Sequence, residues 1–419
     1  MTQPIQSLTG MRDLFPAESG RWLDLQERFR DHFERASYGF VQTPIVEELA
    51  VFERLGVGTD VVTKEMYAFD DRDGTLVALR PESTAGVARA FVQHHPAVPW
   101  KVWYFSQHFR HERPQKGRYR QHHQLGAECF GSPDPDVDVE LIVLLWDFYR
   151  SLGLRRIRLE VNSIGDPESR AAYQRELTTF LTGRVDRLDP VDRAKIEDHP
   201  MRVLDSKSAT TRSALDGAPT LVGAMTPDAL AHFERVQAGL RAAGVPFEIN
   251  THLVRGLDYY THTVFEIVSD AIDAAQSTIG GGGRFDGLVE QLGGNPTPAF
   301  GFGTGVERVL LACDAEGVFG AEERPPDAFV IAFGGDGTDV RDLCLDLRRA
   351  GISTGRAYDQ RSGRAQMKAA DRSGARLGLL LGDDERASGT VTVRDLRGDE
   401  PQASVPTDQL IDELRKRLS

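Results

Sequence analysis

The chain has 419 residues, enough for two or three domains with sizeable cores, and its balance of 40% hydrophobic and 27% charged residues is that of a globular protein. A formal net charge of −13 argues against a general nucleic-acid coat protein, although a local basic site is compatible with it. The three cysteines, Cys129, Cys313 and Cys344, are odd in number and form no CxxC pair, so they suggest neither a disulfide framework nor a cysteine zinc site.

The first residues of the given sequence do not have the pattern that we expect of a signal peptide. Arg12, Asp13 and Glu18 fall where a signal peptide would need an uninterrupted apolar segment. The longest apolar run, at residues 141–145, is too short to cross a bilayer. We therefore expect a cytoplasmic protein with free thiols and no membrane partner.

Apolar spacing and turn residues predict the elements of the first three quarters of the chain. Apolar residues at every third or fourth position after Arg21 predict an amphipathic helix, and Pro44, which lacks an N–H, places its strand at a sheet edge or ends it. Asp166 before Pro167 is a helix start signal and opens a polar, helical insertion. The predicted helices cover residues 21–36, 138–150 and about 303–312, and the predicted strands cover 39–44, 100–105, 124–130, 247–254 and 264–268.

A charged, proline-rich joint at residues 322–326 marks a domain boundary. Strands and helices alternate after it, which is the pattern of a compact α/β domain of about 90 residues. We expect an α+β domain at 1–322, with the helical insertion at about 165–245, and an α/β domain at 327–419. The predicted strands of the second domain are 328–333, 352–356, 377–381 and a hairpin at 390–405, and its helices are 339–350, 363–373 and 408–418.

The strongest functional signal is a basic stretch at residues 101–123. It holds six lysines or arginines, four histidines and a single acid, Glu112, which gives a local charge near +5 in an acidic chain. One interpretation is a solvated turn that happens to be basic. The other, which the pattern favours, is a site for nucleotide phosphates or the end of a nucleic acid.

The strands on either side of this turn predict a cleft. Gln124 and Glu128 are four residues apart and therefore project to one face of the return strand, and His108, Arg110 and Glu112 share one face of the outgoing strand. Glu128 stands among apolar neighbours, where a carboxylate needs a partner. That partner is either an arginine in a structural ion pair or a ligand group that needs an acceptor.

Four other segments are weaker signals. Residues 80–84 combine charges and hydroxyls at a helix start, but a Ser-Thr pair beside Glu82 is also a good helix cap. Residues 253–260 place an arginine and two tyrosines in a strand pattern. The glycines at 280–283 let backbone approach a ligand but are common in plain turns. Residues 301–308 lead into a helix whose amides favour an anion, without the Gly-Lys-Ser/Thr ending of a P-loop.

Metal-binding patterns are weak. The adjacent histidine pairs at 94–95 and 122–123 have no cysteine set to complete a zinc site, and we assign no metal ligand to any side chain.

Together these segments resemble the class II aminoacyl-tRNA synthetases, and within them the histidyl-tRNA synthetase family, over nearly the whole chain. Residues 39–44, 109–121 and 299–308 are similar to the three loose class II motifs, and residues 253–260 and 282–288 to two signatures of the histidine enzymes. The resemblance implies a homodimer. It also implies an antiparallel catalytic sheet with a helical insertion and a C-terminal α/β anticodon-binding domain.

The resemblance also implies an activity: ATP and Mg²⁺ are used to ligate L-histidine to tRNA(His) through a histidyl-adenylate. Carried over by position, the histidine-binding residues are Glu82, Thr84, Gln124, Glu128, Tyr259 and Tyr260. The residues at ATP are Arg110 and Arg255, which are also the catalytic pair at the α-phosphate, with Glu112, His122 and Arg308. Those at the tRNA acceptor end are Arg113, Gln115 and Arg118.

Three features depart from the family pattern or leave it open. Phe285 stands where the signature has a tyrosine, and His122 stands where an aromatic ring against adenine is expected. Strict alternation puts Tyr259 rather than Tyr260 on the face of Arg255, unless a bulge at Gly256 reverses the order.

Three alternatives remain at this level. The first is a non-catalytic, synthetase-like regulatory subunit of histidine biosynthesis, although such relatives typically lack the C-terminal domain and the tRNA-contacting loop, both of which this chain keeps. The second is a class II ligase for another amino acid, against which Glu128 and residues 253–260 argue. The third is an RNA-binding module without ATP chemistry, which would not need residues 80–84 and 301–308.

Overall fold

The computed structural model describes residues 4–16, 18–54, 64–204, 206, 208–253, 259–272, 277–321, 324–358 and 361–419. The chain divides into two compact units, Met1–Ala321 and Glu322–Ser419. Each unit has its own apolar core.

The first unit is built on an eight-stranded sheet with the order β1-β5-β6-β11-β10-β9-β7-β8, and β2, β3 and β4 form a separate small sheet. Every neighbouring pair in the large sheet is antiparallel except at its two edges, where β1 and β8 run parallel to their neighbours. The predicted antiparallel sheet is confirmed, and the strand before Pro44 lies at its edge. The strands are β1 (Gly39–Phe40), β2 (Val46–Glu48), β3 (Tyr67–Asp70), β4 (Leu76–Leu79), β5 (Trp100–Phe109), β6 (Gln121–Phe130), β7 (Ile157–Ser163), β8 (Phe247–Ile249), β9 (Thr261–Ser269), β10 (Thr278–Arg284) and β11 (Ala299–Gly305).

Helices cover one face of this sheet. The first helix buries Trp22, Leu25, Phe29 and Phe33, the apolar positions that predicted it. These side chains belong to one core cluster with residues of the sheet and of the fourth and tenth helices. The helices are α1 (Glu18–Glu34), α2 (Leu49–Glu53), α3 (Thr84–His94), α4 (Pro135–Ser151), α5 (Pro167–Thr182), α6 (Pro190–Arg193), α7 (Ala209–Ala214), α8 (Pro227–Ala242), α9 (Leu288–Gln291) and α10 (Val306–Glu316).

The alternation of side chains gives the sheet two different faces. On β11, Phe300 and Phe302 enter the core beneath the helices, and Gly301, Gly303 and Gly305 fall on the opposite face. The glycine run at 280–283 lies in strand β10, inside the sheet, which pairs with β9 and β11. From the sequence, we expected these glycines either to let the backbone approach a ligand or to form a plain turn. Glycines on the open face leave room above the middle of the sheet.

Helices α5 to α8 occupy the stretch predicted as a helical insertion. The Asp166 side chain accepts a hydrogen bond from Ser169 N at 2.7 Å and so caps α5, as the sequence predicts. Thr226 caps α8, and its hydroxyl donates to the Asp166 carboxylate at 2.5 Å. This hydrogen bond ties the two helix starts together.

The second unit is an α/β domain, as predicted, with a five-stranded sheet of order β13-β12-β14-β15-β16. Strand β12 is parallel to both of its neighbours, and β15 and β16 form the expected antiparallel hairpin. Helix α13 was not predicted. The strands are β12 (Ala328–Ala332), β13 (Thr354–Arg356), β14 (Leu377–Leu381), β15 (Thr390–Asp395) and β16 (Ala403–Pro406), and the helices are α11 (Thr338–Arg349), α12 (Gly363–Arg372), α13 (Asp383–Ser388) and α14 (Leu410–Leu418). Within the described ranges, no helix combines the length and the apolar character that spanning a bilayer requires.

Candidate active site

The open face of the large sheet carries several of the predicted site residues. Gln124 pairs with Ser106 on β5, and Glu128 pairs with Val102 on the same strand. An even separation keeps side chains on one face of a strand, so Gln124 and Glu128 project together, as expected. On the other side of β6, strand β11 places Gly301 opposite Glu128, so no side chain of β11 stands beside this carboxylate at that position.

Four glycines form a floor beneath the side chains of this face: Gly126, Gly283, Gly301 and Gly303. A Cβ added to any of them would collide with a pocket side chain, at 2.3 Å from Tyr104 Oη above Gly126, 2.9 Å from Tyr260 Cδ1 above Gly283, 2.7 Å from Glu128 Cγ above Gly301 and 2.9 Å from Gln124 Oε1 above Gly303. The four side chains therefore lie flat across neighbouring strands instead of standing upright. We call these four residues the glycine floor.

Glu128 is a buried acceptor that the described residues leave open. Its side chain is fully buried, and neither carboxylate oxygen has a hydrogen-bond partner among them. The buried Arg284 pairs with Asp138 and Asp286 instead. Burial raises the pKa of Glu128 to about 8; the Thr84 hydroxyl opposes this rise and the Glu82 charge adds to it. No arginine among the described residues pairs with Glu128, so those residues give the ion-pair interpretation no support.

Glu82 lies in the same pocket and also holds a helix. Its carboxylate accepts hydrogen bonds from Thr84 N at 2.7 Å and Ala85 N at 2.8 Å, which caps the start of α3. Burial raises the pKa of Glu82, although these two N–H groups oppose the rise. The helix start is therefore capped, but by Glu82 and not by a hydroxyl, because Ser83 at the N-cap makes no side-chain cap hydrogen bond. Any role of Glu82 in binding an amino group uses the acceptor capacity that remains.

Tyr259 and Tyr260 both reach this pocket. They precede β9 rather than lying in it, so strand alternation does not decide between them. The centroids of their rings are 4.6 Å apart, and both side chains are buried. Burial, and then the neighbouring Tyr260 and Glu82, raise the pKa of Tyr259 well above 10. The Tyr259 hydroxyl therefore stays protonated and can donate a hydrogen bond. The register shift in this region falls between Gly283 and Arg284 on the neighbouring strand.

A second cavity, of about 460 Å³, adjoins this pocket at Gln124. It is lined by the predicted nucleotide residues Arg110, Glu112, His122 and Arg308, and also by Arg118. Burial lowers the pKa of Arg308, and the charges of Arg118 and Arg110 lower it further, so three guanidinium groups converge here. Such a cluster suits a polyphosphate.

Backbone carbonyls hold these arginines in place. Arg308 Nε donates to Gly117 O at 3.1 Å and its Nη1 donates to Thr278 O at 3.0 Å. Arg110 Nε donates to Pro81 O at 2.9 Å. Because both side chains are oriented before any ligand arrives, they can stabilise developing charge without rearranging.

His122 lines the cavity as a neutral ring. Burial lowers its pKa well below 6.5, and the charges of Arg110 and Arg308 lower it further. Its neighbour on β5, His108, is fully buried, and its Nε2 lies 2.7 Å from Ser83 Oγ. Burial also holds the pKa of His108 well below 6.5. A neutral imidazole at position 122 can stack on a nucleobase without a charge penalty.

The loop between β5 and β6 is a small hairpin with an exposed tip. Gln115 and Arg118 exchange backbone hydrogen bonds of 3.0 and 2.9 Å. Arg113 and Gln115 are exposed, as a contact with tRNA requires. Arg118, the third residue expected at the tRNA, is partly buried, forms an ion pair with Glu112 and lines the cavity.

Some predicted residues lie away from this site, and one residue of the site was not predicted. Arg255 and Gly256 lie outside the described residues. Tyr104, which carries no motif signal, lies in the pocket, and its parity with Gln124 and Glu128 across the hairpin is the signal that identifies it. Phe285 is buried against Phe130, with ring centroids 5.8 Å apart. In the described part of the chain, no cluster of three or more His, Cys, Asp or Glu side chains is suited to a metal ion.

Comparison with known proteins agrees with this geometry. The family model for histidyl-tRNA synthetase matches residues 10–309, and the model for the anticodon binding domain matches residues 327–417. A histidine--tRNA ligase of Halorhodospira halophila is 45% identical over 420 residues, covering 98% of this chain and 98% of the relative. One from Synechococcus sp. (strain WH7803) is 45% identical over 409 residues, covering 94% and 91%.

A solved structure shows the same architecture. The apo histidyl-tRNA synthetase of S. aureus superposes with a TM-score of 0.84 at 31% identity, and the alignment covers 98% of this chain and all of the other. Sequence similarity over nearly the full length, the shared fold and the open pocket on the sheet lead to one conclusion. The chain belongs to the histidyl-tRNA synthetase family of tRNA ligases.

Proposed function

We propose that the protein ligates L-histidine to tRNA(His) in two steps, forming histidyl-adenylate and pyrophosphate from ATP and then transferring histidine to the tRNA with release of AMP. One observation carries the proposal. The buried carboxylate of Glu128, which accepts no hydrogen bond within the described part of the chain, lies on the same sheet face as a cavity in which three guanidinium groups converge. The first suits an amino-acid side chain with an N–H donor, and the second suits a triphosphate.

The Glu128 pocket explains selection of histidine. An imidazole N–H can donate to Glu128, and the hydroxyls of Tyr259 and Tyr260 are available to the ring. Glu82, Thr84 and Gln124 lie at its margin and bind the α-amino group. An apolar competitor would leave the Glu128 carboxylate buried and unpaired, and sites of this kind discriminate by roughly 10⁴–10⁵ without editing.

The guanidinium groups explain the first step. The histidine carboxylate, already ionised, attacks the α-phosphorus of ATP, and pyrophosphate leaves. Charge accumulates on the phosphate oxygens, where Arg110, together with Arg255, stabilises it. Arg308 binds against the adenine and the neutral His122 ring lines the same cavity. No general base is required because no proton moves in this step.

Mg²⁺ fits this cavity as a companion of ATP. Glu266 and Glu307 line the cavity, and Mg²⁺ is usually bound by one or two carboxylates together with phosphate oxygens. Of the two, Glu307 is already engaged, because its carboxylate oxygens accept hydrogen bonds of 3.1 Å from His123 N. When bound, the ion would neutralise charge on the phosphates.

In the second step a ribose hydroxyl of the tRNA attacks the carbonyl of the adenylate, and AMP leaves. The exposed Arg113 and Gln115 lie at the tip of the loop and contact the acceptor end of the tRNA.

The second unit binds the anticodon. A cavity of about 360 Å³ at the ends of its parallel strands is lined by Arg356 and Tyr358, and the Arg356 guanidinium lies 4.4 Å from the centre of the Tyr358 ring. An arginine over an exposed aromatic ring is a stacking platform for a base. The protein acts in the cytoplasm as a homodimer.

The test is ATP–pyrophosphate exchange with each of the twenty amino acids in the absence of tRNA. Of the twenty amino acids, we expect only histidine to support exchange. When tRNA(His) is then added, we expect it to be charged with histidine. Absence of exchange, with histidine still bound in calorimetry, would favour a regulatory subunit of histidine biosynthesis. Exchange with a different amino acid would favour another class II ligase, and RNA binding without exchange a non-catalytic module.

A further inference from the structure

Tyr104 is a pocket residue with no assigned role. It lies on β5 directly opposite Gly126, and its hydroxyl lies 2.3 Å from where a Cβ on that glycine would be. The ring therefore lies across β6 on the open face, at the position between Gln124 and Glu128. Only 2% of the side chain is exposed, so the ring forms a wall of the pocket.

The Tyr104 hydroxyl belongs to the same polar group as Glu128. It lies close to the Thr84 hydroxyl, and the carboxylates of Glu128 and Glu82 are close enough to act on it electrostatically. Burial, followed by those two charges, raises the pKa of the Tyr104 phenol well above 10, so it is always protonated. The buried Tyr104 hydroxyl is thus a fixed neighbour of the Thr84 hydroxyl, which also lies near Glu128.

We propose that Tyr104 is a specificity-determining residue for histidine, which holds the Thr84 hydroxyl and closes the pocket beside Glu128 to rings larger than imidazole. The inference rests on the proposed function. Gly126 is the positioning residue for Tyr104, since any side chain at 126 would displace the ring. The pair explains why a glycine is needed in the middle of an otherwise bulky strand.

The test compares Tyr104→Phe and Gly126→Ala with the wild type. Titration calorimetry with L-histidine alone measures affinity, and pyrophosphate exchange measures the KM for ATP. Tyr104→Phe removes only the hydroxyl, and we expect the Kd for histidine to rise about fivefold to tenfold, as for loss of one buried hydrogen bond, with an unchanged KM for ATP. Gly126→Ala should weaken histidine binding at least as much.

Tyr149→Phe is the matched control. Tyr149 is also fully buried and its hydroxyl donates to Thr304 Oγ1 at 2.7 Å, but it lies in the core on the helical side of the sheet. We expect this variant to bind histidine as the wild type does. A Tyr104→Phe variant with wild-type histidine affinity, or with equal losses for histidine and ATP, would overturn the assignment. A wild type that binds no histidine would instead overturn the proposed function itself.

Discussion

Replacement of Glu128 by glutamine should make the unliganded protein more stable while weakening its affinity for histidine. The pKa of this carboxyl rises from an ordinary 4.5 to about 8 in the folded state. A raised pKa means that the folded protein loses stability as pH increases from 4.5 to 8, because ionisation is opposed only in the folded state. Below pH 4.5 the carboxyl is protonated in both states and this loss is absent.

The size of the effect follows from the interval between the ordinary pKa and the working pH. At pH 7, below the folded pKa of about 8, the folded protein holds on Glu128 a proton that the unfolded chain has released, and this costs about 3 kcal/mol. Glutamine carries no charge to bury, so Glu128→Gln should recover up to about 3 kcal/mol at pH 7 and almost nothing at pH 4.5. The gain should level off above pH 8.

Urea denaturation without histidine, at intervals from pH 5 to pH 8.5, measures this difference in the free energy of unfolding. Glu234→Gln, at an exposed position on α8, is the matched control and should show no pH-dependent gain. A Glu128→Gln protein that is less stable than the wild type at pH 7.5, or whose gain is independent of pH, would refute the reasoning. Saturating histidine should reverse the order of stability, since it pairs with the carboxylate only in the wild type.

Three further predictions concern the arginines, the buried ion pair and the cavity histidine. Arg110→Ala should slow pyrophosphate exchange by about 10²–10³-fold with little change in the Kd for histidine, because it removes one preorganised donor to the α-phosphate; exchange within threefold of wild type would exclude this role. Asp138→Asn should lower the free energy of unfolding by about 3–5 kcal/mol, since it leaves Arg284 buried without its main counterion, and a loss below about 1 kcal/mol in chemical denaturation would contradict this. Because burial keeps the pKa of His122 well below 6.5, His122→Phe should show the same dependence of the ATP KM on pH between 6 and 8 as the wild type, and a protonation step lost in the variant would show that the ring titrates there.

Local patterns in the sequence predicted those parts of the site that depend on one strand alone. Gln124 and Glu128 share a face because alternation along a strand needs no knowledge of its neighbours. Identifying Tyr104 also requires the register of the hairpin. Tyr104 lies in an aromatic run in which Trp103 and Phe105 face the core, and only the pairing with β6 shows which ring faces the pocket.

The glycine run shows why other parts were missed. Four glycines carry no side-chain periodicity, so the sequence allowed either a close backbone approach or a turn. In the structure β10 is held by hydrogen bonds to both β9 and β11, which are contacts distant in sequence. Tyr259 and Tyr260 were judged by strand alternation, yet the strand begins only at Thr261. Tertiary pairing settled the first case, and in the second the rule of alternation did not apply, because both tyrosines precede the strand.

The glycine floor limits how this pocket can be re-engineered. Attempts to widen an amino-acid site usually shorten the residues around it, but Gly126, Gly283, Gly301 and Gly303 already have nothing to remove, and any substitution there reduces the volume. An alanine scan would also underrate these positions, because it would register steric damage rather than a lost contact. Room for a bulkier histidine analogue therefore has to come from Tyr104 or Tyr260, the two aromatic rings that rest on the floor.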